Sequence, residues 1–172
     1  ALDALSFAGQ QRADHAIRNG YFDRSLVPVY REDGSLALDR EEYPRPQTTL
    51  EGLAGLKAAF EPVAAMPIEP GGVTYGQLIA QAYPDLAIRH VHHAGSSSGV
   101  VDGAGALLLA SPAYAAAHGL KPRARVVASA TTGDCPTLML NAPVPAARKV
   151  LQRAGLTLDD IDLFEVNEAF AV

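Results

Sequence analysis

Residues 161–172 read IDLFEVNEAFAV. From Ile161 to Val166 acidic and apolar residues alternate, the two-residue period of a short strand. Asn167 then reads as the start of a helix, with Glu168 placed where the positive end of the helix dipole would favour it. One turn cannot hold itself, because nucleation costs more than a single turn returns. The pattern therefore reads as an element cut short. A polar residue at the carboxyl end of a strand stands where open α/β sheets place ligands and chemistry, which makes Asn167 the first candidate residue.

Working outward from that stretch, Pro145 opens a helix that ends near Gly155, and Arg125 to Ala130 is the strand before it. Ser111 and Pro112 form an N-cap and N1 pair for a helix ending at His118-Gly119. Ala104 to Ala110 is a buried-strand candidate. Strands and helices alternating across short connections predict a mostly parallel α/β sheet. The N-terminal half reads differently. Leu2, Leu5, Ala8, Ala13, Ala16 and Ile17 recur at roughly helical spacing, with a stop at Asn19-Gly20. Leu26 to Tyr30 is a strand, turned at Asp33-Gly34 into Leu36 and Leu38 as a hairpin. Thr48 and Glu51 suggest a capping box for a helix carrying Leu50, Leu53, Leu56 and Phe60, closed by Pro62. Thr74 to Ala82 is a further helix in a Pro- and Gly-interrupted stretch. The grammar changes near His90.

With 172 residues, 48% of them hydrophobic, the chain can bury a core as one large domain or two small ones. A net charge of -5 and no basic stripe argue against a nucleic-acid partner. The longest apolar run, Ala104 to Ala110, falls far short of the ~20 residues of a membrane span. No secretory signal is present, although the chain opens at Ala1 and not at Met. The single cysteine, Cys135, excludes an internal disulfide framework and suits a reducing cytoplasm.

The densest polar cluster is HVHHAGSSSGVVDG, residues 90–103. Gly95-Ser96-Ser97-Ser98-Gly99 matches the nucleophile elbow G-x-S-x-G, with Ile88 to His93 as the strand before it. Asp102 is too near Ser97 to swing round as a triad acid, and His118 ends a helix, so a serine hydrolase is the weaker alternative. His90, His92 and His93 could suggest a metal site, and His90 and His92 share one strand face and could reach a common ion, but no carboxylate or cysteine is spaced to complete it. Polar residues at a strand end are the simpler reading. Cys135 has no neighbouring Lys, Arg or His to lower its pKa and reads as structural. The Ser/Gly loop suits the close approach of a thin, amide-bearing ligand such as a pantetheine arm.

Taken together, AGSSSGVVDGAGALLLAS (94–111), ATTGDCPTLMLNAPVPAARKVLQRAGL (130–156) and DIDLFEVNEAFA (160–171) resemble the thiolase family. The resemblance extends back through SFAGQQRADHAIRNGYF (6–22) and RPQTTLEGLAGLKAAFEP (45–62). It implies an α/β, thiolase-like fold of duplicated βαβαβ halves with an inserted loop domain. Residues 1–92 would belong to the loop domain, 93–134 to the end of the first half, and 135–172 to the start of the second. It also implies thiolytic cleavage of 3-ketoacyl-CoA, or the reverse Claisen condensation, through a cysteine acyl-enzyme. Coenzyme A would be substrate, with no tightly bound cofactor and no metal. A cytoplasmic homo-oligomer, dimer or tetramer, working in fatty acid and lipid metabolism would follow.

By the same resemblance Asn167 is the catalytic residue that orients an oxyanion-hole water. Ser98 bonds the pantetheine amide, Arg45 lies near the adenine end, and Phe60, Ala169 and Phe170 line the pantetheine channel. Ala94 joins the CoA-binding set. The plainer readings are a core role for Phe60 at the end of an amphipathic helix and a solvated Arg45 between prolines. Ser96 stands where the family commonly has Asn, and the stretch from Pro67 to Arg89 is longer than in compact biosynthetic members. No Cys-x-Ser-Gly, Gly-His-Pro or Cys-x-Gly block occurs in the sequence. The expectation is a central slice of a thiolase, inactive by itself. The alternative within the fold is a catalytically degenerate CoA-binding subunit.

Overall fold

α1 (Leu2–Arg18) ends where Gly20 adopts φ 65°, which lets Tyr21 N–H reach Ala16 O and Gly20 N–H reach Ile17 O. This closing pattern satisfies carbonyls that the helix end would otherwise leave open. Inside α1, Arg18 pairs with Asp14 one turn earlier at 3.0 Å. The computed structural model describes residues 1–172, which divide into two compact units. The first comprises 1–75, 87–100 and 167–172; the second comprises 76–86 and 101–166.

In the first unit β1 (Val29–Tyr30) and β2 (Leu36–Leu38) form the expected hairpin, antiparallel, with Val29 opposite Leu38 and a register irregularity before Tyr30. Asp33 accepts Ser35 N–H at 2.9 Å in its turn. The expected strand from Leu26 is shorter than its pattern, because Leu26 N–H is spent on Phe22 O in the preceding turn. The helix expected through Phe60 is two pieces, α2 (Leu50–Ala54) and α3 (Glu61–Ala64). Gly52 and Gly55 weaken the helix interior, and Ala59 N–H leaves it to bond His92 O at 2.8 Å. The cap is Thr49, whose hydroxyl accepts Gly52 N–H, and not Thr48, whose hydroxyl donates to Arg45 O at 2.7 Å. α1 packs on α2 and on a 3-10 turn, Ala94–Ser96. Leu53 and Ala171 are the apolar residues most buried in this unit.

α4 (Tyr75–Ala82) begins at the boundary, one residue later than Thr74. In the second unit α5 (Pro112–Ala117) is capped by Ser111 Oγ as expected. α6 (Pro143–Ala154) opens at Pro143, not Pro145, and ends on left-handed Gly155. A second 3-10 turn, Leu158–Asp160, follows, and its backbone and hydroxyl bonds from Thr157 hold the Asp160 carboxyl below the usual range.

The expected strands Ile88–His93, Ala104–Ala110, Arg125–Ala130 and Ile161–Val166 carry no ladder hydrogen bonds, and the parallel sheet between them is not formed. A strand exists only through its neighbour; an apolar run by itself supplies no partner for its N–H and C=O groups. Leu107, Leu108 and Leu109 are 91%, 85% and 78% exposed. The helical turn expected at Asn167 is also absent, because residues 169–171 pair instead with the serine loop. No helix is long and apolar enough to cross a membrane.

Candidate functional site

Two segments far apart in sequence are clamped together in the first unit. Ser98 N–H donates to Ala169 O and Ala171 N–H donates to Ser96 O, both at 2.9 Å, with Ser97 and Phe170 forming an antiparallel bridge between them. Side chains alternate across such a pair, so Ser97 and Phe170 share one face and Ser98 points to the other. Ser98 is exposed, and its hydroxyl makes no bond within the chain. Asn167 is exposed as well, its backbone carbonyl accepting Ala169 N–H at 3.1 Å and its amide side chain unbonded. The clamp therefore presents one free hydroxyl and one free amide.

The loop owes its shape to His93, which is only 5% exposed. His93 Nδ1 accepts Gly95 N–H at 3.1 Å, while its own N–H donates to Ser96 Oγ at 3.0 Å, a reciprocal capping of the 3-10 turn that Ala94 opens. An imidazole that accepts at Nδ1 carries its proton at Nε2, and Nε2 lies 3.0 Å from Asp3 Oδ1. Ser97 Oγ donates to His93 O at 2.9 Å. That bond places the hydroxyl on a carbonyl and not on a base, and a capped 3-10 turn is not a strand-to-helix elbow, which removes the support for a hydrolase at Ser97. His92 faces Ser96 Oγ at 3.3 Å through Nδ1 and packs against the Phe170 ring at 5.2 Å.

Phe60 meets Phe170 edge-on at 5.5 Å, so the two channel candidates touch. Arg45 reaches the loop through an intermediary. Its guanidinium lies 5.3 Å over the Tyr43 ring, and that ring packs so closely on Gly99 that a Cβ there would overlap it. The structure thus brings Ser98, Ala169, Phe170 and Phe60 together directly, Arg45 by way of Tyr43, and Asn167 through the start of the clamp. Ala94, exposed, lies one turn from them. Local pattern misses Asp3 and Tyr43, and it marks His93 only as one of three clustered histidines, not as the cap of this turn. Asp3 does mark the acidic first turn of α1, but nothing in its neighbourhood points to a histidine 90 positions on.

In the second unit Cys135 is less inert than its neighbours in sequence suggest. The Leu138 backbone N–H, then the Tyr83 hydroxyl 3.6 Å away, stabilise the thiolate and hold its pKa below the usual thiol value; the same contact pushes the Tyr83 phenol up. No Lys, Arg or His is needed for that. Met139 and Leu140, just beyond, are both left-handed (φ 56° and 59°), an arrangement non-glycine residues enter only under constraint.

Residues 1–76 match the model of the thiolase N-terminal domain and residues 120–172 that of the thiolase C-terminal domain. The chain belongs to the thiolase family. It is 44% identical to a 3-ketoacyl-CoA thiolase of Aliivibrio fischeri over 98% of its own length and 38% of that protein's. It is 42% identical to a 3-oxoadipyl-CoA/3-oxo-5,6-dehydrosuberyl-CoA thiolase of Escherichia coli, over 98% and 36%. Human mitochondrial 3-ketoacyl-CoA thiolase superposes with a TM-score of 0.74 at 36% identity, over 99% of this chain and 36% of that one. The same human thiolase in complex with CoA gives 0.73. The fold class is thus the α/β thiolase fold, and the chain spans little more than a third of the relatives it matches.

Proposed function

We propose that the protein containing this chain is a thiolase-type acyltransferase acting on acyl-CoA and 3-ketoacyl-CoA. The observation that carries this is the clamp between residues 96–98 and 169–171, one framework that carries an unbonded Ser98 hydroxyl, an unbonded Asn167 amide and, on the face away from Ser98, the Phe170 ring against Phe60. The names of its relatives support the same chemistry. Ser98 takes a pantetheine amide, the phenyl rings take the apolar stretch of the arm, and Arg45, held over Tyr43, offers charge at the far end. Asn167 holds a water against the oxygen on which negative charge develops. Its amide donates or accepts without changing charge, so the water keeps one orientation through the step. Nucleophile and proton carrier lie outside these residues.

Several further readings belong to this proposal: the division at 92/93 and 134/135 into an inserted loop domain and two α/β parts, a homo-oligomer, a cytoplasmic site, and a place in lipid and fatty acid metabolism. The unpaired Cys135 thiol supports a reducing compartment.

Asn167→Ala tests the proposal in the intact enzyme. Folding should stay nearly unchanged while kcat falls by about 10², the lower end of what a lost oxyanion donor costs. Asn167→Asp should be worse, because a carboxylate sets like charge beside the developing oxyanion. Single-turnover kinetics with melting temperatures decide it. If Ala unfolds the protein, or Asp works as well as Asn, Asn167 is a structural cap.

A further inference from the structure

We infer that His93, oriented by Asp3, is the positioning residue that sets the Ser98 loop for its ligand. The inference rests on the thiolase reading and adds to it a residue pair that touches no substrate. His93 is buried with both ring nitrogens used: Nδ1 takes Gly95 N–H at 3.1 Å and Nε2 faces Asp3 Oδ1 at 3.0 Å. Its backbone is committed as well, N–H to Ser96 Oγ and C=O to Ser97 Oγ. Every hydrogen bond that shapes residues 94–97 therefore begins or ends on His93 or on Ser96. The next two bonds along the chain, Ser96 O with Ala171 N–H and Ser98 N–H with Ala169 O, are the clamp itself.

Asp3 fixes more than ring position. By accepting from Nε2 it keeps the proton there, which leaves Nδ1 its lone pair for Gly95. With Asp3 gone only Gly95 N–H still favours that tautomer, and the form with Nδ1–H, no longer opposed by a carboxylate at Nε2, would face Gly95 N–H donor to donor. Close packing accompanies the arrangement, since a Cβ at Gly95 would overlap Leu53 Cδ2 of α2.

Amide geometry lets two substitutions separate the ring's two bonds. His93→Asn keeps an acceptor near the place of Nδ1 and loses the reach to Asp3. His93→Gln keeps a donor near the place of Nε2 and loses the cap. In the intact enzyme, hydrogen exchange at Ser98 and Ala171 N–H is measured beside KM for CoA and kcat. The cap is worth about 1 kcal/mol, so His93→Gln should exchange roughly fivefold faster at both amides. It should also raise KM for CoA about threefold to tenfold with kcat held. His93→Asn should restore most of both, and Asp3→Ala should fall between. Equal exchange in wild type and His93→Gln overturns the inference, as does failure of His93→Asn to outperform His93→Gln. A His93→Gln protein that does not fold beside a normal His93→Asn would make His93 a folding residue and overturn it too. The exchange measurement needs no activity. Absence of CoA binding by wild type, with the exchange pattern as expected, would instead remove the thiolase reading.

Discussion

The two units solve the same problem of backbone pairing in opposite ways. In the first, segments distant in sequence exchange hydrogen bonds. Ser98 and Ser96 pair with Ala169 and Ala171, Ala59 with His92, and Gln10 Oε1 accepts Arg45 N–H at 2.7 Å. In the second, the long-range bonds come from side chains: Lys149 and Arg153 of α6 to Thr131 O and Ser129 O, both at 2.8 Å, and the Tyr83 hydroxyl with Cys135 Sγ at 3.6 Å. Its apolar segments stay without a ladder, with Leu163 89% and Val126 74% exposed. Strand-like composition is thus strongest where strand pairing is absent. A run such as Leu107-Leu108-Leu109 is apolar on both faces, the composition of a central strand covered from two sides. Residues 96–98 are polar and pair through backbone alone. What decides pairing is a neighbour within reach.

The largest effect by which this contrast can be broken is amide exchange in the 172-residue chain. Ser98 and Ala171 N–H should exchange more slowly than those of Leu107, Leu108 and Leu109 by a factor on the order of 10² or more, since opening energies run from near zero at unpaired segments upward. Equal rates would erase the distinction between the units. Next comes packing. Gly95→Ala forces a Cβ against Leu53, and should lower stability by about 1 to 3 kcal/mol, read from denaturant midpoints. Gly103→Ala, with open space around it, should cost much less. A smaller effect sharpens the role of the clamp. Ser98→Val in the intact enzyme should raise KM for CoA about threefold to tenfold with kcat little changed, the mark of a bond kept in ground and transition states alike. A large fall in kcat at constant KM would make Ser98 a chemical participant.

The smallest effect belongs to the second unit. Cys135 is held below the usual thiol range, so its thiolate fraction, and with it alkylation by iodoacetamide, should reach half-maximum at lower pH than for a free thiol. Tyr83→Phe removes one of the donors to the sulfur and should move that midpoint upward. A midpoint that does not move would assign the shift to the Leu138 and Thr137 donors.

Helix ends were legible because their determinants are local. Asn19-Gly20, Ser111-Pro112 and Gly155 act within one turn of themselves, and the structure uses each as its chemistry predicts. The hairpin at Asp33-Gly34 was legible for the same reason. Thr48 and Thr49 are equivalent caps by local pattern, and only the hydroxyl that faces Gly52 N–H, that of Thr49, serves as one. The strands were not legible as paired elements, because pairing depends on residues that no window contains. At the site, sequence pointed to the serine loop and to Asn167-Glu168-Ala169-Phe170 separately. That the two meet edge to edge, and that Phe170 turns its ring to both Phe60 and His92, came only from tertiary structure. His93 stood out within the histidine and serine cluster, but its pairing with Asp3 could not be read, since 90 positions separate the two.

The distance along the chain between Asp3 and His93 has a consequence for the order of events in refolding. Closing a loop of 90 residues costs only about 0.6 kcal/mol more than closing one half as long. Its effect on rate is larger, because contacts of high sequence separation form slowly. α1, whose bonds are local, should be acquired early, and the serine loop late. Pulse-labelling during refolding should find Tyr21 N–H protected before Ser98 N–H. The ability to hold a ligand would then appear among the last properties the chain acquires, so that an incompletely folded copy does not compete for it.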